Sequence, residues 1–178
     1  MLRLFLGIPL PPAHALQLSR ICLGLHAVRW VDPGNFHVTI RFVGEVDEGV
    51  AADVDAEAAA IRSARFSLSV AGLGAFGPAE KPRTLIATLD RAPHLVQLHD
   101  RLGTALARAG VVPEARRFTP HVTLAHCIRP NPAEIQAFIA ANNLLRLPPF
   151  PVDSFQLIRS YLTKAGSVYE EVARYPLV

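Results

Sequence analysis

The chain has little of what builds a membrane anchor, a disulfide framework or a metal cluster. No apolar run approaches the ~20 residues needed to cross a bilayer. The opening Met1 to Pro12 is apolar with one Arg, so a secretory signal has to be weighed. Its apolar stretch is short, prolines interrupt it, and no small-residue cleavage site follows at the right place, which makes a cytoplasmic location the expectation. Only two cysteines are present, Cys22 and Cys127, far apart and outside any C-x-x-C arrangement. A disulfide scaffold or a zinc site needs more ligands at tighter spacing, so both are expected as reduced core residues. Lysine is nearly missing as well: sixteen of the eighteen basic residues are Arg.

What remains is an ordinary globular composition. Of 178 residues, 51% are apolar and 19% charged, which suits one domain or two small fused lobes with a sizeable core. The net charge of +3 permits a nucleic-acid or nucleotide partner without requiring one. The arginine bias fits such a partner, because a guanidinium offers a planar fork to phosphate oxygens.

Strand-like and helix-like stretches alternate along the chain. Arg3 to Pro9 places Leu4, Leu6 and Ile8 on one face at period two. Ala13 to Leu25 carries Leu18, Ile21, Cys22 and Leu25 at helical spacing. Phe36 to Val46 is β-rich and follows the turn-prone Asp32-Pro33-Gly34-Asn35. Asp47 is placed to cap a helix through Val50, Val54, Ala58 and Ile61, whose acidic residues Glu48, Asp53, Asp55 and Glu57 read as a solvated face. Phe66 to Phe76 and Thr84 to Leu89 read as strands. Leu95, Leu98, Leu102 and Leu106 mark a third helix stopped by Gly110. Thr119 to Ile128 is another strand, and Asn131-Pro132-Ala133-Glu134 opens a fourth helix with a cap and a first-turn proline. Two closing strands, Pro151 to Leu162 and Ser167 to Tyr175, flank a turn at Lys164-Ala165-Gly166. The mixture indicates an α+β fold.

Two segments resemble each other: Asn35-Phe36-His37-Val38-Thr39-Ile40 and Thr119-Pro120-His121-Val122-Thr123-Leu124. Seven His and seven Thr in this length yield about 0.3 His-x-Thr triplets by chance. A matched pair with a shared Val in β context is therefore not accidental. The copies lie 84 positions apart, close to half the chain, and internal duplication with a pseudo-twofold axis explains them economically. On a strand, residues i and i+2 share a face, so each copy presents an imidazole beside a hydroxyl while Val38, Ile40, Val122 and Leu124 enter the core. If the two copies face each other, two titrating groups and two hydroxyl donors line one cleft. Phosphodiester cleavage needs a base for the attacking water and an acid for the departing oxygen, and two histidines supply both.

On these residues the chain resembles the 2H phosphoesterases, and within them the RNA 2′,3′-cyclic phosphodiesterases also called 2′-5′ RNA ligases. The likeness covers nearly the whole length. It includes Arg3 to Pro9, Arg29-Trp30-Val31, His37 to Val46, Gly72 to Phe76, Phe118 to Leu124, Arg159-Ser160 and Gly166 to Tyr169. The resemblance implies one bilobal domain over residues 1–178: two pseudo-symmetric lobes with antiparallel sheets, helices outside, and the catalytic cleft between. It implies His37 as proton donor, His121 as proton acceptor, and Thr39 and Thr123 on the phosphate oxygens, with no cofactor and no metal. RNA ends or small nucleotide cyclic phosphates are the expected partners. A monomer is expected, although the sequence itself does not give the oligomeric state, and with no long apolar run no tie to a membrane is expected.

One departure stands out. Similar sequences often carry Arg five positions after the second histidine, where this chain has His126. Strict alternation turns His126 away from His121, leaving Arg129 to compensate. The same alternation puts Arg41 on the face of His37 and Thr39 as a phosphate-contact candidate. Trp30 and Phe42 read as core aromatics, and His14, His26, His94 and His99 as surface or helix-face residues. ATP-independent 2′-5′ end joining, hydrolysis of a small cyclic phosphate such as an ADP-ribose derivative, and a noncatalytic RNA- or nucleotide-binding module are the competing functions. A metal-dependent hydrolase is disfavoured, since no carboxylate joins either histidine at ligand spacing.

Overall fold

A computed structural model describes residues 1–112, 114–164 and 166–178. The chain opens with strand β1 (Leu2–Pro9), helix α1 (Pro12–Ser19), the short β2 (Val28–Trp30) and the long β3 (His37–Val46). Helix α2 (Glu48–Ala59), β4 (Phe66–Leu68), β5 (Val70–Phe76), β6 (Thr84–Leu89) and helix α3 (Pro93–Arg108) follow. Strand β7 (His121–Cys127), helix α4 (Pro132–Asn142), β8 (Phe150–Val152), β9 (Ser154–Thr163) and β10 (Gly166–Pro176) complete it.

The α+β reading holds, and the helix starts are where the capping residues put them. The Asp47 carboxylate accepts the Val50 N–H at 2.9 Å and the Asn131 side chain accepts the Ala133 N–H at 3.0 Å. Helix α1 ends earlier than its apolar spacing suggests, because Ile21 and Cys22 bond three residues back and the chain turns at Gly24. Two expected strands are each split. Phe66–Leu68 leaves the main sheet to pair with Phe150–Val152, so β4 and β8 form a separate ribbon. The expected turn at Lys164-Ala165-Gly166 includes Ala165, which lies outside the described residues.

The main sheet has strand order β10-β9-β1-β3-β7-β6-β5, with β2 added beside β7, and its pairings are antiparallel. It consists of two wings. β10, β9, β1 and β3 form one; β7, β6, β5 and β2 form the other. Among the described residues a single pair, Val38 opposite Val122, joins them. One face of both wings is buried under helices: Leu6, Val38, Ile40, Val122 and Leu124 pack with Leu95, Leu98 and Leu102 of α3 and Val54 and Ala58 of α2 in one apolar cluster. The opposite face is open at the junction of the wings.

Both wings break their alternation at corresponding places. In β3, Gly7 pairs with Thr39 and Leu6 with Arg41, leaving Ile40 as an extra residue. In β7, Ile86 pairs with Thr123 and Leu85 with Ala125, leaving Leu124 as the extra one. Each bulge falls three residues after the motif histidine and resets which side chains face out.

Candidate active site

The pairing of Val38 with Val122 sets the geometry of the open face. In an antiparallel pair it brings Thr123 opposite His37 and His121 opposite Thr39, all four on the face away from the two valines. The two histidines are then diagonal neighbours, about 7–8 Å apart at their backbones. The structure thus brings together His37, Thr39, His121 and Thr123.

Each imidazole is held the same way. His37 Nδ1 lies 2.7 Å from the Asn35 carbonyl, and His121 Nδ1 lies 2.7 Å from the Thr119 carbonyl. A carbonyl only accepts, so Nδ1 carries hydrogen in both rings and Nε2 is the atom left for chemistry. The Thr39 hydroxyl sits 2.9 Å from His37 Nε2. Aromatic rings wall both histidines: Phe5 and Tyr169 lie 4.7 and 5.1 Å from His37, and Phe76 meets His121 edge-on at 4.7 Å. Gly7, opposite Thr39, leaves the space for this packing, since a Cβ there would stand 3.1 Å from the Val38 carbonyl and 3.2 Å from the Phe5 ring.

Burial pushes the His37 imidazole down to about 4, against the pull of the Asn35 carbonyl and helped by the nearby His121. Burial lowers His121 too, and the Thr119 carbonyl works against it. Each desolvated ring resists carrying a charge by itself. An anion seated between them would reverse that.

Three expectations about facing are corrected by the bulges. Arg41 does not share the face of His37 and Thr39. It pairs with the buried Leu6, and its Nε donates to the His99 carbonyl of α3 at 3.0 Å, with the guanidinium against Gly103. His126 does not face away: it pairs with Thr84, which lies on the open face with Ile86 and Thr88. Phe42, expected in the core, pairs with Phe5 on the open face and is 54% exposed. Trp30 does pack inward, 5.9 Å from Phe138 of α4. His99 is a buried residue, 9% exposed, with its ring stacked at 4.0 Å on Phe118. The thiols of Cys22 and Cys127 are free and only half-buried.

Sequence reasoning missed Phe5, Phe76 and Tyr169 as the walls of the two rings, and Asn35 and Thr119 as their orienting carbonyls. The last two had a legible signal: each stands two positions before its histidine. A cavity between α2 and the β1–β9–β10 edge, lined by Leu4, Asp55, Arg159 and Glu170, contains no histidine and lies on the helix side. Among the described residues, no three His, Cys, Asp or Glu side chains gather as a metal would require, and no helix is long and apolar enough to cross a membrane.

Residues 11–163 match the family model of the 2′-5′ RNA ligase superfamily. An RNA 2′,3′-cyclic phosphodiesterase of Aeropyrum pernix is 35% identical over 146 residues, covering 80% of this chain and 82% of its own. Another, of Thermotoga maritima, is 29% identical over 179 residues, covering 95% and 92%. Among solved structures, a phosphoesterase has the same fold with a TM-score of 0.81 at 24% identity over 99% of this chain and 98% of its own. E. coli LigT complexed with 3′-AMP gives 0.79 at 24% identity over 99% and 98%.

Proposed function

Because the chain belongs to the 2′-5′ RNA ligase superfamily, we propose that its paired H-x-T-x segments form one active site that hydrolyses RNA 2′,3′-cyclic phosphate ends to 2′-phosphomonoesters. The observation that carries this reading is the Val38–Val122 pair, which sets two Nε2 atoms and two hydroxyls around one patch of open sheet. Relatives named RNA 2′,3′-cyclic phosphodiesterase support the substrate class. The repeated bulges support one bilobal domain arising by internal duplication, and because one chain supplies all four groups, the site needs no second copy for its chemistry.

Water attacks phosphorus opposite the ribose 3′ oxygen. His121 Nε2 takes the water proton, the P–O3′ bond breaks, and His37 Nε2–H supplies the proton that the 3′ oxygen needs to leave. The Thr39 hydroxyl caps the His37 Nε2 lone pair in the free protein. Once that nitrogen is protonated it becomes the donor, and the Thr39 hydroxyl hydrogen turns to a phosphate oxygen. Thr123, opposite His37 on the other wing, offers its hydroxyl to another phosphate oxygen. Side chains fill every role, so no metal ion takes part.

The test is an RNA oligonucleotide ending in a 2′,3′-cyclic phosphate, incubated with protein in excess EDTA. The expected product is the 2′-monoester, identified by its resistance to a 3′-specific phosphatase. A 3′-monoester, or turnover only after a divalent ion is restored, would refute the mechanism.

A further inference from the structure

The bulge at Leu124 has a second effect, on the far side of Thr123. Three residues past Thr123, His126 returns to the open face, one pair of ladder positions and therefore about 7 Å further along. Strand β2 lies against that part of β7, and its Arg29 pairs directly with His126. Directly paired residues project to the same face, so Arg29 stands beside His126 on the open face, adjoining the Thr123 end of the site. The two are close enough that the Arg29 charge, after burial, holds the His126 imidazole below its ordinary pKa. Arg29 is exposed and, among the described residues, forms no ion pair. The acid on the adjoining loop, Asp32, is occupied with the Gly34 N–H at 2.8 Å. At the corresponding place on β3, five residues after His37, stands the uncharged, exposed Phe42. The cleft is therefore polar at one end and aromatic at the other, although its centre is nearly symmetric.

An unpaired guanidinium at this distance suits a second anion, not the reacting one. One nucleotide of backbone separates the cyclic phosphate from the next phosphodiester, a span matching the step from Thr123 to His126. We infer that Arg29, with His126 beside it, binds the phosphodiester one nucleotide upstream of the cyclic end. The strand thus leaves the cleft along β2 and β7, and the site prefers an RNA end to a mononucleotide. This rests on the cyclic phosphodiesterase reading above. Arg29 is a specificity residue here and takes no part in the bond-breaking step.

The experiment compares a nucleoside 2′,3′-cyclic phosphate with the dinucleotide that has the same terminal base and one internal phosphodiester. Wild-type protein should show a higher kcat/KM on the dinucleotide. In Arg29→Ala the ratio of the two kcat/KM values should fall roughly 10- to 100-fold, the scale of a charge-assisted hydrogen bond. Arg29→Lys should retain part of the ratio as a point charge without the fork, and the salt dependence of dinucleotide binding should flatten by about one phosphate contact in Arg29→Ala. A folded Arg29→Ala variant, checked by circular dichroism, with an unchanged ratio overturns the subsite while leaving the proposed hydrolysis intact. Equal losses on both substrates also overturn it, because they would put Arg29 on the cyclic phosphate itself. Wild-type protein inert toward both substrates sinks the proposed function and the subsite together.

Discussion

Lowering the pH of the ligand-free protein from 7.5 to 4 should destabilise it through His37. The ring is walled by Phe5 and Tyr169, and burial holds it near 4 against an ordinary value of about 6.5. Between those values the unfolded chain binds a proton that the folded one refuses, so stability is full above about 6.5, falls as the pH drops, and is lost by about 4. The gap of about 2.5 pH units corresponds to roughly 3 kcal/mol from this one residue. Chemical denaturation of wild type and His37→Gln at pH 7.5, 5.5 and 4 separates the effect from the titration of carboxylates, since only the wild type carries the imidazole. Imidazole proton shifts followed by NMR give the value directly. Inorganic phosphate should then raise it and bind more tightly as the pH falls from 7 to 5, because an anion between two imidazoles favours their charged forms. A ligand-free His37 titrating between 6 and 7, or one unmoved by saturating phosphate, would refute the reasoning. In that event the proton donor would not depend on the substrate's own charge to be loaded.

His37→Ala and His121→Ala should each lower turnover on the order of 10²–10⁴-fold with the fold intact by circular dichroism, while Thr39→Ala and Thr123→Ala should cost less. A substrate with a nitrophenolate leaving group needs little protonation, so it should partly rescue His37→Ala but not His121→Ala; equal rescue would contradict the division of roles. Leu98→Ala, at a fully buried position of α3, should destabilise by about 2–5 kcal/mol in urea unfolding.

Much of this was legible in the sequence because it rests on local chemistry. Asp47 and Asn131 announced their helices by their caps, and the repeated His-Val-Thr announced both the strands and the pairing of reactive groups. What sequence could not give was register. Alternation counts residues as if a strand were regular, and one extra residue at Ile40 and another at Leu124 reversed the facing of the residues that follow, until in β3 a second extra residue, Val43, restores it. Arg41, Phe42 and His126 were misplaced for that single reason. Arg29 was hidden for a related one: its importance comes from lying across from His126, a pairing between strands nearly a hundred positions apart in sequence. The aromatic walls were hidden likewise, since Phe5 and Tyr169 reach His37 from both ends of the chain.

The single-pair seam has a mechanical consequence. A sheet resists bending through its ladder of backbone bonds, and here the ladder narrows to Val38 and Val122 between two stiff plates. The angle between the plates is then governed by what fills the space beneath the seam, the side chains of those two valines and the α3 leucines behind them. The separation of the two imidazoles is set from the back of the protein, by core volume. Trimming or enlarging either valine would open or close the jaws without altering any atom that touches the substrate.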